Sequence, residues 1–317
     1  MRDLLRRFAE GVPRDTLLTR IRGRRSYLVA EWDRLLLAPE PASLLPPAPW
    51  RRGAGLDGRV SLALQGEYGW VFRWMPEPLR IITAPFFWLA ELRVIAVCLR
   101  RLAGGSRGDD ELLQGSLMND RIRTLLRIAP DEAAAVRQLA GILSPHAPAC
   151  ATLPGTFRSG GSGAVETALQ DIFLARLAAG RHHPVMSRFV VLTIDCRNLT
   201  AVAKGLRWRS SRPPRLVEGG SIPVKKLADL AEQADVVAIA RLAARLGGIN
   251  RSGDPDNLER TVLQAEYRAV SSLAREPDGV GEILWYLWRC RNEARIIGLL
   301  SRLATAGTEA VEAEVMR

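Results

Sequence analysis

The sequence predicts an all-α protein built from three similar helical units. Two observations carry that prediction. The first is a pattern stated three times. A Leu-Gln-x-x-aromatic segment occurs at Leu64 to Tyr68, at Leu169 to Phe173 and at Leu263 to Tyr267. An acid-x-Arg triplet follows each glutamine by 25 to 29 residues: Glu91 with Arg93, Asp195 with Arg197, and Glu293 with Arg295. The acids stand 104 and 98 residues apart, so the chain restates itself about every hundred residues, the mark of a repeat architecture. The second observation is that almost every segment spaces its apolar residues by three and four and does not alternate them.

Each element follows from local sequence. The apolar stretch 81–99 reads as a buried helix. It holds Pro85, Glu91 and Arg93, and a charge near the centre of a membrane helix costs about 2.5–3.5 kcal/mol on insertion scales. A helix opens at Asp131 and Glu132, whose acids suit a first turn, and runs to Leu143. Another runs over 165–179 and stops at Gly180. Residues 189–193 have some strand character but lead into the second triplet, so they read as helix by analogy with the other copies. The cleanest stripe runs over 223–246 through Leu227, Leu230, Ala234 and Val237, with Ser221 as its cap and Gly247-Gly248 as its stop. The last long helix spans 282–304. Stretches rich in Pro, Gly, Ser and Arg break the pattern at 39–58, 103–108, 144–163, 210–220 and 247–255. They set the units at 1–105, 106–212 and 213–317.

Composition bounds the class. With 317 residues and 47% hydrophobic content, the chain is long and apolar enough for a large core. The net charge is +11, yet only three lysines occur, so the excess is arginine. A coding bias toward arginine and a functional surface both account for that. The four cysteines are scattered without a CxxC and read as buried small hydrophobes of a reducing compartment. The arginine-studded N-terminus lacks the apolar run of a signal peptide.

Candidate chemistry is sparse. In each repeat the Leu and the aromatic lie four apart, on one helical face, and read as packing pairs: Leu64 with Tyr68, Leu169 with Phe173, Leu263 with Tyr267. The acid and arginine of each triplet lie two apart and point away from each other, so they need separate partners. Glu91, Asp195 and Glu293 are therefore expected to accept hydrogen bonds from another helix of the same unit, as a polar clasp that fixes register. No catalytic, cofactor or metal residues are assigned. His182 and His183 sit at a helix end, where histidine complements the dipole. The run 159–163 precedes a helix but lacks the Gly-Lys-Ser/Thr ending of a phosphate loop, and reads as a linker. Asp109, Asp110 and Glu111 open a helix without the second acidic cluster of a two-metal site. Arginines cluster at Arg20, Arg22, Arg24 and Arg25, and again at Arg207, Arg209, Arg212 and Arg215. Arg20, Arg22, Arg207 and Arg209 are the candidate interface. Without interleaved aromatics or a recognition helix, nucleic acid is not the expected partner.

Four stretches together resemble the C subunit of A/V-type ATPases, equivalent to subunit d of the vacuolar enzyme. They are the Arg-x-Arg opening at Arg20 and Arg22, the middle pattern from Glu166 and Leu169 to Asp195, Asn198 and Leu199, the Gly219-Gly220 turn, and the closing Tyr286-Leu287 with Glu293 and Arg295. Ile296 stands where that closing pattern carries asparagine. The resemblance implies three helical domains about a pseudo-threefold axis, forming a funnel. It implies a non-catalytic central-stalk subunit on the cytoplasmic face of the membrane. Such a subunit joins the axle to the membrane rotor ring and passes torque for proton or sodium transport, without cofactor or small-molecule substrate. The alternatives are an arginine-rich helical adaptor for RNA or protein, and an all-helical enzyme using Asp109, Asp110 and Glu111.

Overall fold

The computed structural model describes residues 1–29, 60–104, 110–209, 213–248, 253–255 and 257–306, with the helix alone for 299–306. The described residues are helical apart from connecting turns and one isolated bridge, Leu5 opposite Met118. The chain divides into two compact units: Met1–Ile128 with Glu282–Arg317, and Ala129–Gly281. The sequence break at 39–58 lies outside the described residues.

The first unit holds α1 (Arg14–Arg25), α2 (Val60–Trp74), α3 (Glu77–Ala103), α4 (Asp110–Gly115), α5 (Asp120–Ile128) and α12 (Val280–Ala306) from Glu282 onward. α3 starts where proline is tolerated: Pro76 is its N-cap, Pro78 lies in the first turn, and Glu77 supplies a negative charge at the positive end. Its 18-residue apolar window has a mean hydropathy of 1.8, enough by length and composition to cross a membrane, and 67% of that window is buried inside the fold. What buries it is aromatic. Phe87 meets Phe72, Phe86 and Tyr68 edge to face, with ring centroids 4.8, 5.5 and 6.0 Å apart, the geometry that ring quadrupoles favour.

Where α2 ends, its last carbonyls lack helical partners. Arg80, fully buried, supplies them. It donates to the carbonyls of Phe72 (3.0 Å) and Arg73 (2.7 Å), and to those of Phe8 (3.0 Å) and Ala9 (2.7 Å) in the N-terminal segment. One side chain thus ties α2, α3 and residues 8–9 together.

The second unit holds α6 (Glu132–Leu143), α7 (Leu153–Ala178), α8 (Pro184–Arg207), α9 (Val224–Glu232), α10 (Val236–Leu246) and α11 (Leu258–Leu273). α6 begins where its sequence predicts, with Glu132 in the first turn and Asp131 just outside it as the cap, accepting from the Ala134 amide at 2.7 Å. α8 covers 189–193, so that stretch is helix. α10 packs on α11, and α11 on α8. The α10–α11 crossing is close because Gly247 lies against Ala265: a Cβ on Gly247 would sit 2.7 Å from the Ala265 Cα.

Three expectations are corrected here. The run 159–163 is not a linker. It lies within α7, which continues from Leu153, and Gly161 takes a left-handed φ of 66° that kinks the helix. The stripe 223–246 is not one helix. Ala234 adopts φ 51°, and Asp235 starts a new helix by accepting from the Ala238 amide at 2.9 Å. Ser221 does not cap α9, because its hydroxyl is bound to Asp195 at 2.6 Å.

All four cysteines are buried thiols without a disulfide. Asp109 lies outside the described residues, and α4, which starts at Asp110, is only six residues long.

Candidate functional site

The acids of the three triplets are deeply buried, with 3%, 1% and 1% exposure for Glu91, Asp195 and Glu293. An unpaired charge at such depth costs several kcal/mol, and each finds donors. Glu91 Oε2 accepts from the Ser116 hydroxyl at 2.6 Å and Glu91 Oε1 from the Leu117 amide at 2.8 Å. Asp195 Oδ2 accepts from the Ser221 amide (3.0 Å) and hydroxyl (2.6 Å), and Oδ1 from the Ile222 amide (3.1 Å). Glu293 Oε2 accepts from the Val29 amide at 2.9 Å.

These donors differ from the expected ones in one way. They belong to connecting segments and not to helices. A helix interior has no amide to spare, whereas the turn before a helix does. Each acid and its donors lie in the same compact unit of the fold: Glu91 with Ser116 and Leu117, and Glu293 with Val29, in the first, and Asp195 with Ser221 and Ile222 in the second.

The grips extend past the acids. Asn198, one turn beyond Asp195, donates to the Val217 carbonyl (2.8 Å) and accepts from the Val217 amide (2.9 Å). Arg289, one turn before Glu293, donates to the Val29 carbonyl (2.8 Å). Gly220 is required beside Asp195, since a Cβ there would lie 2.2 Å from Asp195 Oδ1.

Burial pushes Glu91 up to about 7, against the lowering effect of its Ser116 and Leu117 bonds and of Arg123. Arg93 and Arg295 are exposed. Arg197 is partly buried and pairs with Asp171 at 2.6 Å. Burial raises the Asp171 pKa, and Arg197 offsets it.

The packing pairs diverge. Leu169 and Phe173 are in the core, and Tyr68 is buried beside a half-buried Leu64. The third pair is turned outward: Leu263 is half-buried and Tyr267 is 46% exposed. α11 instead buries Val262, Ala265 and Val270, because the close approach at Gly247 requires the small Ala265 on the inner face.

The N-terminal arginines are engaged within the first unit. Arg22 grips Glu282 with Nε at 2.9 Å and Nη2 at 2.8 Å. Arg24 makes a two-pronged pair with the buried Glu67, one contact being 2.8 Å, and Tyr286 donates to the same carboxylate at 2.5 Å. Burial drives the Tyr286 pKa upward, which keeps its proton on the phenol. Arg20 and Arg24 lie over Trp74 and Trp70, with guanidinium carbons 4.0 and 4.1 Å from the ring centroids. In the second unit Arg207 pairs with Glu259 at 3.1 Å, and Arg209 is exposed with φ 48°.

His182 Nε2 lies 2.9 Å from the Leu177 carbonyl at the end of α7, and His183 Nε2 lies 3.5 Å from Asp278. Among the described residues no cluster of three or more His, Cys, Asp or Glu side chains has metal-binding geometry. The roles of Val29, Glu67 and Arg80 escaped the sequence reading. Glu67 carried a signal, as an acid within the first Leu-Gln-x-x-aromatic segment, but Val29 and Arg80 had no motif around them.

These features define a class: an all-helical protein whose repeated carboxylates are spent on holding segments of its own chain. Residues 53–312 match the family model of the ATP synthase (C/AC39) subunit, and the chain belongs to that family. It is a family of non-catalytic ATPase subunits. No curated protein matches the chain in sequence. The matched stretch includes all three triplets but begins after α1, whose arginines join it through Glu67 and Glu282.

Proposed function

We propose that this chain is the central-stalk subunit of a rotary A/V-type ATPase. It joins the axle to the membrane rotor ring and transmits torque for ATP-coupled proton or sodium transport, on the cytoplasmic face of the membrane. The observation that carries this reading is the family match over residues 53–312.

The clasps support it. A torque-bearing part must be stiff, and stiffness comes from close packing and from polar groups with a single partner arrangement. With units at 1–105, 106–212 and 213–317, the first two acids would each hold the segment that opens the next unit, and the last would hold the N-terminal segment. That order suits three units, 1–105, 106–212 and 213–317, closed about a pseudo-threefold axis as a funnel. Glu91, Asp195 and Glu293 are the proposed clasp acids. The exposed Arg209 remains a candidate contact with the acidic parts of the ring, whereas Arg22 and Arg207 spend their charge internally. Nothing observed favours the adaptor reading.

The test is affinity purification of the tagged chain from detergent-solubilised membranes. The expected result is recovery of the rotor ring and the axle subunit in stoichiometric amounts. Recovery of RNA or of unrelated proteins, without ring and axle, would overturn the proposal.

A further inference from the structure

Residues 4–6 run beside residues 117–119: the Arg6 amide donates to the Leu117 carbonyl (2.8 Å) and the Asn119 amide to the Leu4 carbonyl (2.9 Å). This pairing sets Arg6 beside the start of α5, which carries Arg123. The Phe8 ring follows, and three guanidinium carbons gather around its centroid, those of Arg6 at 5.3 Å, Arg73 at 5.6 Å and Arg80 at 5.9 Å.

Their charges are not equally answered. Arg80 is satisfied by four carbonyls and by Glu77. Glu77 is shared with Arg2 at 2.9 Å, which holds its carboxyl below the usual range. Arg123 pairs with Asp120, whose side chain is 85% exposed, and the Arg123 Nε is buried without a hydrogen-bond partner. A buried donor left unmade is costly, which marks a place where an acceptor belongs. Burial, Arg123 and Arg73 all lower the Arg6 pKa, with Asp120 acting against them. Arg73 is exposed, so the cluster opens to solvent.

We propose that Arg6 and Arg73, beside Phe8, together with Arg123, whose charge acts on Arg6, form a binding site for a phosphate-bearing anion. Planar guanidinium forks match phosphate oxygens in pairs, and stacking on an aromatic ring orients the fork before the ligand arrives. The orphaned Arg123 Nε gains its acceptor, and the like charges of Arg6, Arg73 and Arg123 are neutralised together. The site lies within the first unit and does not rest on the stalk reading.

Titration of the full chain with pyrophosphate tests this, at ionic strength held constant with chloride and read by calorimetry. The expected result is saturable binding that weakens about tenfold or more in Arg6→Gln/Arg73→Gln and in the exposed Arg73→Gln alone. Arg241→Gln, in the second unit, should leave it unchanged. Circular dichroism confirms that each variant is folded. A parallel sedimentation assay uses phosphatidylcholine vesicles with and without phosphatidic acid. Arg73-dependent sedimentation only with phosphatidic acid identifies a lipid headgroup as the source, and pyrophosphate binding without sedimentation identifies a soluble anion. Either supports the site. Absence of saturable binding to both probes, or equal affinity in the folded Arg73→Gln variant, would overturn it.

Discussion

Glu91 shows how a single buried carboxylate couples the fold to pH. Its pKa rises from an ordinary carboxylate value to about 7 on folding, because burial outweighs its two hydrogen bonds and Arg123. The folded state therefore binds more protons than the unfolded state between about 4.5 and 7. Stability from this group is fully present below the unfolded pKa and is lost as pH rises through the folded one. Glu91→Gln removes the titration and keeps an acceptor for the Leu117 amide. Melting temperatures of both proteins from pH 4 to 8 check this. The advantage of the parent over the variant should shrink across that window and level off above about 7. A difference independent of pH would show that folding leaves the Glu91 pKa unshifted. Glu67 is buried as well, and Arg24 and Tyr286 both bond to its carboxylate.

At the scale of elements, a helix is held by what its ends and small residues touch. The Val29 grip on α12 is the clearest case, because both its amide and its carbonyl are used. Val29→Pro removes the donor to Glu293 while leaving an apolar side chain. Loss of one bond to a buried charged acceptor costs about 1–3 kcal/mol, and a chemical denaturation curve should move by that amount. An unchanged midpoint would mean that this segment does not close on α12 in solution. The sequence made the helices themselves legible, since α6 opens at the acids Asp131 and Glu132 and the triplets fell in helices. It did not reveal the donors. A backbone amide has no residue signature, so Leu117, Ile222 and Val29 carry no motif. Periodicity also misled where a local geometry overrode it. Ala234 in a left-handed conformation split one apolar stripe into α9 and α10, and the Gly247–Ala265 approach turned Tyr267 outward. Ser221 looked like a cap because the sequence could not show that Asp195, 26 residues earlier, already held it.

For the whole molecule, the family was legible before any coordinate, and membership follows from the match over residues 53–312. The proposed role requires a part without chemistry of its own that makes two other processes depend on each other. Its most direct test uses membranes stripped of this subunit, with ATP hydrolysis and ATP-driven ion uptake measured side by side before and after the purified chain is added back. The expected result is that hydrolysis persists without the subunit, uptake is absent, and addition restores uptake in proportion to bound chain. Uptake that proceeds at full rate in its absence, or ATP hydrolysis by the isolated chain, would contradict the role.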